Sequence, residues 1–216
     1  MSTKITIIGA GSVGSTIAND LVAMNIATEI LLIDINEQKA FGEAMDIYQG
    51  TGFTSPAVVR PGRYEDAVGS SIVIITSGVA RKPGQTRLEL AQTNVNILKQ
   101  ITPNIVKYAP EAIYIMVSNP VDVMTYVFHK ISGIPAERII GSGTVLDTAR
   151  LQTELAREFN ISPKNVHAHV YGEHGDTSFV PWSLATISNN HVSRYAAHAP
   201  DPENIRFNGN YEAFVE

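Results

Sequence analysis

The chain has 216 residues, 44% of them hydrophobic and 17% charged, with a formal net charge of −5 at pH 7 and no cysteine. This composition is typical of a globular protein and excludes a disordered chain, disulfides and thiolate metal sites. The acidic balance without a basic run argues against nucleic-acid or anionic-membrane partners. No apolar run approaches the roughly 20 residues of a membrane span and no signal-peptide core begins the chain, so we expect a soluble, cytoplasmic protein.

The N-terminal residues predict a βαβ unit with a glycine-rich turn. Residues 4–8 (KITII) are a β-branched apolar run typical of a buried parallel strand, and residues 9–14 (GAGSVG) follow at once. Apolar residues then recur at helical spacing until residues 29–33 (EILLI), a second strand that ends at Asp34. A strand, a G-x-G-x-x-G turn, a helix and an acid twenty residues later together indicate a dinucleotide site.

Each part of this motif has a physical task. Gly9 permits the tight turn, Gly11 lets a pyrophosphate approach the backbone, and Gly14 lets helix and strand pack closely. The helix N-terminus offers N–H groups and a positive dipole end to the phosphates. Asp34 would accept hydrogen bonds from the adenosine ribose and repel a 2′-phosphate, which favours NAD over NADP. FAD and a mere packing turn are the alternatives at this point.

Strands and helices alternate along the rest of the chain. The predicted strands cover residues 58–59, 71–76, 112–117, 138–140 and 166–171. The predicted helices cover residues 37–48, 87–108, 121–131 and 146–159, and Pro103 is expected to kink the second of them or divide it in two. Residues 77–86, rich in glycine, proline and polar side chains, predict a mobile loop. The alternation predicts a doubly wound parallel sheet with right-handed crossovers.

A glycine-flanked histidine follows the last of these strands. Residues 171–176 (YGEHGD) place His174 in a loop. Histidine exchanges a proton readily near neutral pH, so a loop that displays one is a candidate for acid–base catalysis. Taken alone, a histidine in such a hexapeptide is more often a surface or structural residue than a catalytic one. Whether His174 is catalytic depends on whether the rest of the chain provides a cofactor site and partner residues for it.

Five ordered segments carry a family resemblance: GAGSVG, GVARKPGQTRLEL, VSNPVD, GSGTVLDTAR and GEHGDTSFVPWS. With them the chain resembles the NAD-dependent L-lactate and malate dehydrogenases along residues 4–193. The resemblance implies a homo-oligomeric, NAD-dependent oxidoreductase acting on the CH–OH group of a small 2-hydroxy acid. It also implies a Rossmann NAD-binding domain at residues 1–142, followed by the incomplete start of an α+β substrate domain at residues 143–216.

The resemblance assigns three residues to the chemistry. His174 takes the hydroxyl proton of the 2-hydroxy acid as hydride leaves for the nicotinamide. Asp147 bonds the other ring nitrogen, which fixes the tautomer and orients the ring. Arg150 lies three residues later, hence on the same helix face, and its planar fork suits a bidentate grip on the substrate carboxylate. Without the resemblance, Asp147 and Arg150 would be an ordinary helix-start acid and a solvated surface arginine.

The resemblance places three further residues at the substrate or cofactor. Arg87 polarises the substrate carbonyl when the preceding loop closes and excludes water. Asn119 ends a strand, where open α/β sheets bind ligands, and bonds both substrate oxygen and cofactor. The Asn119–Pro120 bond is expected to be cis, and Asp122 is expected at the substrate. The remaining cofactor contacts rest on the resemblance alone: Val13, Lys39, Tyr64, Gly78, Val79, Gln100, Val117, Ser118 and Ser142.

Arg81 lies six residues before Arg87, at the position where the family discriminates between substrates. Lactate-specific members carry glutamine there and malate-specific members carry arginine, which pairs with the second carboxylate of oxaloacetate. An unpaired arginine in a dry site costs several kcal/mol, so Arg81 predicts a preference for malate and oxaloacetate. The overall run of sequence instead resembles the lactate branch, and lactate with pyruvate is the alternative. A second position that influences this choice lies past Glu216.

Two questions remain at the sequence level. Residues 211–216 begin a helix of about one turn, so we expect the sequence to be incomplete and these residues alone to be poorly soluble and almost inactive. An NAD-binding fragment without turnover is therefore a second hypothesis, and an unrelated flavin oxidoreductase a third. Activation by fructose 1,6-bisphosphate is doubtful, because His167 matches the family's phosphate-binding histidine but Gln152 replaces its arginine.

Overall fold

The structure is a computed structural model that describes residues 3–80, 84 and 86–197, with only the backbone at residues 87, 196 and 197. The chain divides into two compact units, Met1–Gly141 and Ser142–Glu216. Within the described residues, no helix is long and apolar enough to cross a membrane. Arg81, the arginine expected to discriminate between substrates, and the helix expected at 211–216 lie outside the described residues.

A parallel sheet forms the centre of the first unit. Its strands are β1 (Lys4–Ile8), β2 (Glu29–Ile33), β3 (Val58–Pro61), β4 (Ile72–Ile75), β5 (Ile113–Met116) and β6 (Ile139–Gly141). They pair in the order β3-β2-β1-β4-β5-β6. The order reverses between β1 and β4, and ligands of such sheets bind at this point, beside the carboxyl ends of the strands.

Four helices cover the two faces of this sheet: α1 (Ser12–Ala23), α2 (Glu37–Gly50), α3 (Arg87–Tyr108) and α4 (Val121–Ser132). One buried cluster contains apolar residues of α1 and α2, among them Ala18, Val22 and Ala44. The other contains residues of α3 and α4, among them Leu98 and Phe128. Since both faces are buried, the strands at the centre of the sheet are mainly apolar, in agreement with the buried parallel strand predicted at residues 4–8.

Pro103 neither ends nor divides α3, so the expectation that it could divide the helix was wrong. The helix runs without interruption from Arg87 to Tyr108. The hydroxyl of Thr102 donates to the carbonyl of Leu98 at 2.7 Å, and the amide of Asn104 donates to the carbonyl of Gln100 at 2.8 Å. These side-chain bonds support the backbone on either side of the bond that proline cannot form.

The second unit contains α5 (Val145–Glu158), β7 (Val166–His167), β8 (Thr186–Ile187), β9 (Asn190–His191) and α6 (Val192–Ala197). The three strands form an antiparallel sheet in the order β7-β8-β9. Leu151 and Leu155 of α5 are buried in one cluster with Val166, Ile187 and Val192. The expected fold class, a doubly wound parallel sheet followed by an α+β segment, is confirmed for the described residues.

One strand of the second unit is much shorter than predicted. The sequence predicted residues 166–171, whereas β7 covers only Val166–His167. The backbone of Ala168 and Val170 instead bonds to side chains of α5 and of its N-cap residue. An apolar run fits such a segment as well as it fits a strand, and periodicity alone does not separate the two.

Candidate functional site

The three glycines of the first turn differ in what surrounds them. Gly9 has φ +110°, and a Cβ there would lie 2.7 Å from the hydroxyl oxygen of Thr76. A Cβ on Gly14 would overlap the carbonyl oxygen of Gly9. Around the Cβ position of Gly11, no heavy atom of the described residues lies within 4 Å, apart from the glycine itself and its chain neighbours. The protein itself therefore requires glycine at Gly9 and Gly14, while the space at Gly11 is open to a ligand.

Helix α1 begins at this open space. Its N-cap is Gly11, which provides no side-chain cap, and its first turn carries no acidic residue. The N–H groups of this turn and the positive end of the helix dipole are suited to an anion such as a pyrophosphate. Val13, in the same turn, is 54% exposed.

Asp34 lies directly after β2, beside the glycine-rich turn. Its Oδ2 accepts a hydrogen bond from the backbone N–H of Ala10 at 2.7 Å, and its Oδ1 accepts one from the N–H of Asn36 at 2.9 Å. Burial, and secondly the negative charge of Asp34, raise the pKa of the Tyr64 phenol. The structure thus brings together Asp34 and Tyr64, two of the predicted cofactor residues, at the carboxyl end of β2.

Hydroxyl groups join the ends of β1, β4 and β5. Ser118 donates to the carbonyl of Ser77 at 2.6 Å, and Ser77 donates to the carbonyl of Ile8 at 2.8 Å. Thr76 donates to the carbonyl of Gly9 at 3.0 Å. Ser118, a predicted cofactor contact, is buried and its hydroxyl bonds to the protein. These bonds hold the strand ends at the switch point of the sheet in register.

Asn94 was missed by the sequence analysis. It lies on the buried face of α3 and is 2% exposed. Its Oδ1 accepts from the N–H of Val79 at 2.9 Å, and its Nδ2 donates to the carbonyl of Asn119 at 2.7 Å. A Cβ on Gly78 would lie 3.2 Å from Asn94 Oδ1, so glycine permits this approach. The signal in the sequence was a polar residue in helical register with the buried Leu98 and Ile101.

The other predicted residues of the first unit lie at the surface or at strand ends. The Asn119–Pro120 bond is cis, as expected. Asp122 is in the first turn of α4. The backbone of Arg87 begins α3, while its side chain lies outside the described atoms. The exposed positions are Gly78 and Val79 after β4, Lys39 on α2 and Gln100 on α3, and Val117 is half-buried after β5.

In the second unit, Asp147 bridges His174 and Arg150. The Nδ1 atom of His174 lies 2.6 Å from Oδ2 of Asp147, and Nη1 of Arg150 lies 3.4 Å from Oδ1 of the same carboxylate. The side chains of His174 and Asp147 are 30% and 23% exposed, and that of Arg150 is 65% exposed. Because the carboxylate holds Nδ1, proton exchange with a ligand is assigned to Nε2.

The loop that carries His174 is closed at its base. The N–H groups of Tyr171 and Phe179 donate to each other's carbonyls at 2.8 and 2.9 Å. Gly172 has φ +93°, which allows the chain to turn away from this pair. Ser178 N–H donates to the carbonyl of Gly175 at 3.1 Å. The histidine thus lies on a short, closed loop.

Three more residues named from the sequence lie in this unit. Ser142 is half-buried at its beginning. His167 is exposed on β7, and Gln152 donates to the carbonyl of Ala168 at 3.0 Å. Glutamine at this position bonds to the backbone and carries no charge for a phosphate.

Two family profiles match the chain. Residues 3–141 match the lactate/malate dehydrogenase NAD binding domain, and residues 144–203 match the lactate/malate dehydrogenase alpha/beta C-terminal domain. An L-lactate dehydrogenase of Clostridium botulinum is 49% identical over 214 residues, which are 99% of this chain and 66% of that protein. L-lactate dehydrogenase 1 of Clostridium acetobutylicum is 51% identical over 194 residues, 90% of this chain and 62% of that protein.

Solved structures show the same similarity. The lactate dehydrogenase MGS-M5, from a Medee basin deep-sea metagenome library, has a TM-score of 0.90 at 38% identity and covers 99% of this chain. The malate dehydrogenase of Picrophilus torridus has a TM-score of 0.88 at 34% identity and covers 100% of this chain. This chain covers 67% and 65% of those two chains. It spans less than two thirds of the length of the curated relatives above.

Proposed function

The chain belongs to the lactate/malate dehydrogenase family, and we propose that it acts as an NAD-dependent L-2-hydroxy acid dehydrogenase. The observation that carries this proposal is the carboxylate of Asp147, which contacts a histidine ring through one oxygen and an arginine through the other. This contact supports His174 as the proton carrier and Arg150 as the cation that binds the substrate carboxylate. These are the two groups that oxidation of a 2-hydroxy acid requires beside a hydride acceptor.

The first unit fits NAD. The open backbone at Gly11 and the uncapped start of α1 suit the pyrophosphate, and the carboxylate of Asp34 suits the ribose hydroxyls. A 2′-phosphate at the same position would be repelled by Asp34. When bound, NAD supplies the nicotinamide ring that accepts hydride from C2 of the substrate. The family's N-terminal domain is an NAD-binding domain, in agreement with this fit.

His174 and Asp147 would move the proton of the hydroxyl group. As hydride leaves C2, Nε2 of His174 accepts the hydroxyl proton, and the imidazolium that forms is stabilised by the adjacent carboxylate of Asp147. In the reverse direction, Nε2 returns this proton to the carbonyl oxygen. Because Asp147 is already hydrogen-bonded to Nδ1 at 2.6 Å, the ring needs little reorganisation during the reaction.

Arginine side chains and Asn119 would hold the substrate. Arg150 would grip the carboxylate that every 2-hydroxy acid carries, since its planar fork matches two carboxylate oxygens. Arg87 would polarise the carbonyl oxygen, and the Asn119 side chain would bond to substrate and nicotinamide. The backbone of Asn119 is held by Asn94, which supports such a role. The further contacts at Asp122, Lys39 and Gln100 rest on family resemblance alone.

Two pairs of 2-hydroxy and 2-oxo acids are candidate substrates. Lactate with pyruvate is favoured, because the relatives at 49% identity are L-lactate dehydrogenases. Arg81 supports malate with oxaloacetate as a second candidate, since an arginine at the discriminating position would pair with a second carboxylate. The homo-oligomeric state expected from the resemblance stays a prediction.

Steady-state kinetics of the whole protein test the proposal. NADH oxidation is measured with pyruvate and with oxaloacetate, and kcat/KM is compared for the two acids. Turnover with either acid supports a 2-hydroxy acid dehydrogenase, and the larger kcat/KM identifies the substrate pair. NADH binding, followed by its fluorescence, without oxidation by either acid would instead support a dinucleotide-binding protein without turnover. Bound flavin in the purified protein would contradict both interpretations.

A further inference from the structure

The N-cap residue of α5 and two side chains of the helix hold the chain that leads to the His174 loop. The hydroxyl of Thr144 donates to the carbonyl of Val170 at 2.6 Å, and the hydroxyl of Thr148 accepts from the N–H of Val170 at 2.9 Å. The amide of Gln152 donates to the carbonyl of Ala168 at 3.0 Å. These three residues are spaced by four, so they lie along one face of the helix.

This row of side chains takes the place of a neighbouring strand. Both backbone polar groups of Val170 are bonded to hydroxyls of α5, one turn of helix apart. A strand partner would provide one donor and one acceptor in the same way. The backbone polar groups of Val170 are thereby satisfied outside a sheet, in the segment that follows the end of β7 at His167.

Thr144 bonds to this segment instead of capping its own helix. It is the N-cap residue of α5, and its side chain makes no cap hydrogen bond. A threonine at this position ordinarily accepts from an N–H of the first turn, which stabilises a helix by about 1 kcal/mol. Here the hydroxyl donates outward to Val170. The helix therefore lacks its ordinary N-cap bond, and the Thr144 hydroxyl holds the segment before the His174 loop instead. Such departures from local preference are typical of functional regions.

The same helix holds the histidine itself. Asp147 precedes Thr148 by one residue and contacts the ring of His174, which lies four residues after Val170. Between them, Tyr171 pairs with Phe179 and closes the loop. Helix α5 therefore fixes both the stem of the loop, through Thr148 and Thr144, and its catalytic side chain, through Asp147.

We propose that Thr148 is a positioning residue that sets the distance between His174 and Asp147. It touches neither substrate nor cofactor in this role and acts through the backbone of Val170. Without its hydroxyl, the Val170 N–H loses its bond to the helix that carries Asp147, and the remaining bonds from Thr144 and Gln152 reach only carbonyl groups, so the stem gains freedom to shift. A displacement near 1 Å at a reacting group lowers a rate by about a hundredfold, so small movements of the stem matter. The kinetic part of this inference rests on the proposed function.

Three variants of the whole protein test the inference. Thr148→Val removes the hydroxyl and keeps the shape, and Thr148→Ser restores the hydroxyl. The matched control is Thr153→Val, on the same helix, because the Thr153 hydroxyl bonds to the carbonyl of Ala149 within that helix at 2.8 Å. Should Thr148→Val fail to fold, Thr148→Ala, which leaves room for water at the Val170 N–H, carries the same prediction.

The first readout is the low-field proton NMR signal of the Nδ1–H of His174, assigned by its loss in Asp147→Asn. This signal reports the contact with Asp147 and does not require turnover. We expect it to broaden or disappear in Thr148→Val, and to persist in Thr148→Ser and Thr153→Val. A signal that is unchanged in Thr148→Val would overturn the inference even in a protein without activity.

The second readout is kinetic. In Thr148→Val we expect kcat to fall by about tenfold to a hundredfold while KM for NADH is unchanged, and Thr148→Ser to recover most of kcat. A lower melting temperature with normal kcat would show that Thr148 is merely structural and would overturn the inference. If the unsubstituted protein shows no turnover, the proposed function fails, and the NMR result alone decides the positioning role.

Discussion

The carboxylate of Asp34 accepts a hydrogen bond from the backbone N–H of Ala10, with 2.7 Å between oxygen and nitrogen. Ala10 lies between two glycines of the turn that precedes α1, so this bond ties the end of β2 to the end of β1. The second carboxylate oxygen accepts from the N–H of Asn36. Two backbone donors therefore hold the negative charge that we propose to contact the ribose of NAD.

Asp34→Asn should relax the discrimination against NADP. The amide keeps the shape but loses the charge that repels a 2′-phosphate, and we expect the ratio of kcat/KM for NADPH to that for NADH to rise by at least about tenfold, or about 1.4 kcal/mol. The matched control is Asp46→Asn on the exposed face of α2. An unchanged ratio would show that Asp34 does not set cofactor preference.

Asp147→Asn should impair the proton transfer assigned to His174. An amide does not stabilise the imidazolium and disturbs the tautomer, so we expect kcat to fall by about a hundredfold or more with KM for NADH unchanged. Glu154→Gln is the control, because Glu154 forms a similar pair with Arg157 at 2.9 Å on the same helix. Equal losses in the two variants would point to helix stability instead of catalysis.

Arg81→Gln should lower the preference for a dicarboxylic substrate. If Arg81 pairs with the second carboxylate, the ratio of kcat/KM for oxaloacetate to that for pyruvate should fall by about a hundredfold in this variant. Lys82→Gln removes a neighbouring charge and serves as the control. A ratio that stays the same in Arg81→Gln would leave lactate with pyruvate as the substrate pair.

Asn94→Leu should destabilise the first unit. The variant removes the partly buried bonds that Asn94 makes to the Val79 N–H and the Asn119 carbonyl, and a hydrogen bond of this kind contributes about 0.5–1.5 kcal/mol net. We expect a corresponding decrease in the free energy of unfolding in urea, together with weaker NADH binding. Asn96→Leu, at an exposed position of the same helix, should change the stability little.

The stability of the first turn of α3 should depend on pH, because Glu89 titrates there. Hydrogen bonds from the backbone N–H and the hydroxyl of Thr86 lower the pKa of the Glu89 carboxyl from its ordinary 4.5. A lowered pKa in the folded state means that this stabilisation is present above pH 4.5 and is lost as the pH falls through the lower pKa. The protection factors for hydrogen exchange at the first turn of α3, which compare the measured rate with the intrinsic rate at each pH, should fall in that range. Glu89→Gln should remove this pH dependence.

Local patterns in the sequence were sufficient to predict several strands and helices and the glycine-rich turn. The β-branched runs predicted β1 and β2 at their observed bounds, and α3 was predicted from Arg87 to Tyr108 as observed. The glycine spacing together with Asp34 predicted a dinucleotide turn whose glycines have the expected surroundings. Such features depend on near neighbours in the chain, because steric exclusion, capping and strand burial act over a few residues.

Only the tertiary structure decided how polar groups distant in the sequence satisfy one another. The sequence did not show that Asn94 bonds to Val79 and Asn119, because these partners lie 15 and 25 residues away. Nor did it show that hydroxyls of α5 replace a strand at Val170, since an apolar run is compatible with either partner. The choice depends on which donors and acceptors the folded chain brings within hydrogen-bonding distance, and every buried polar group must find one.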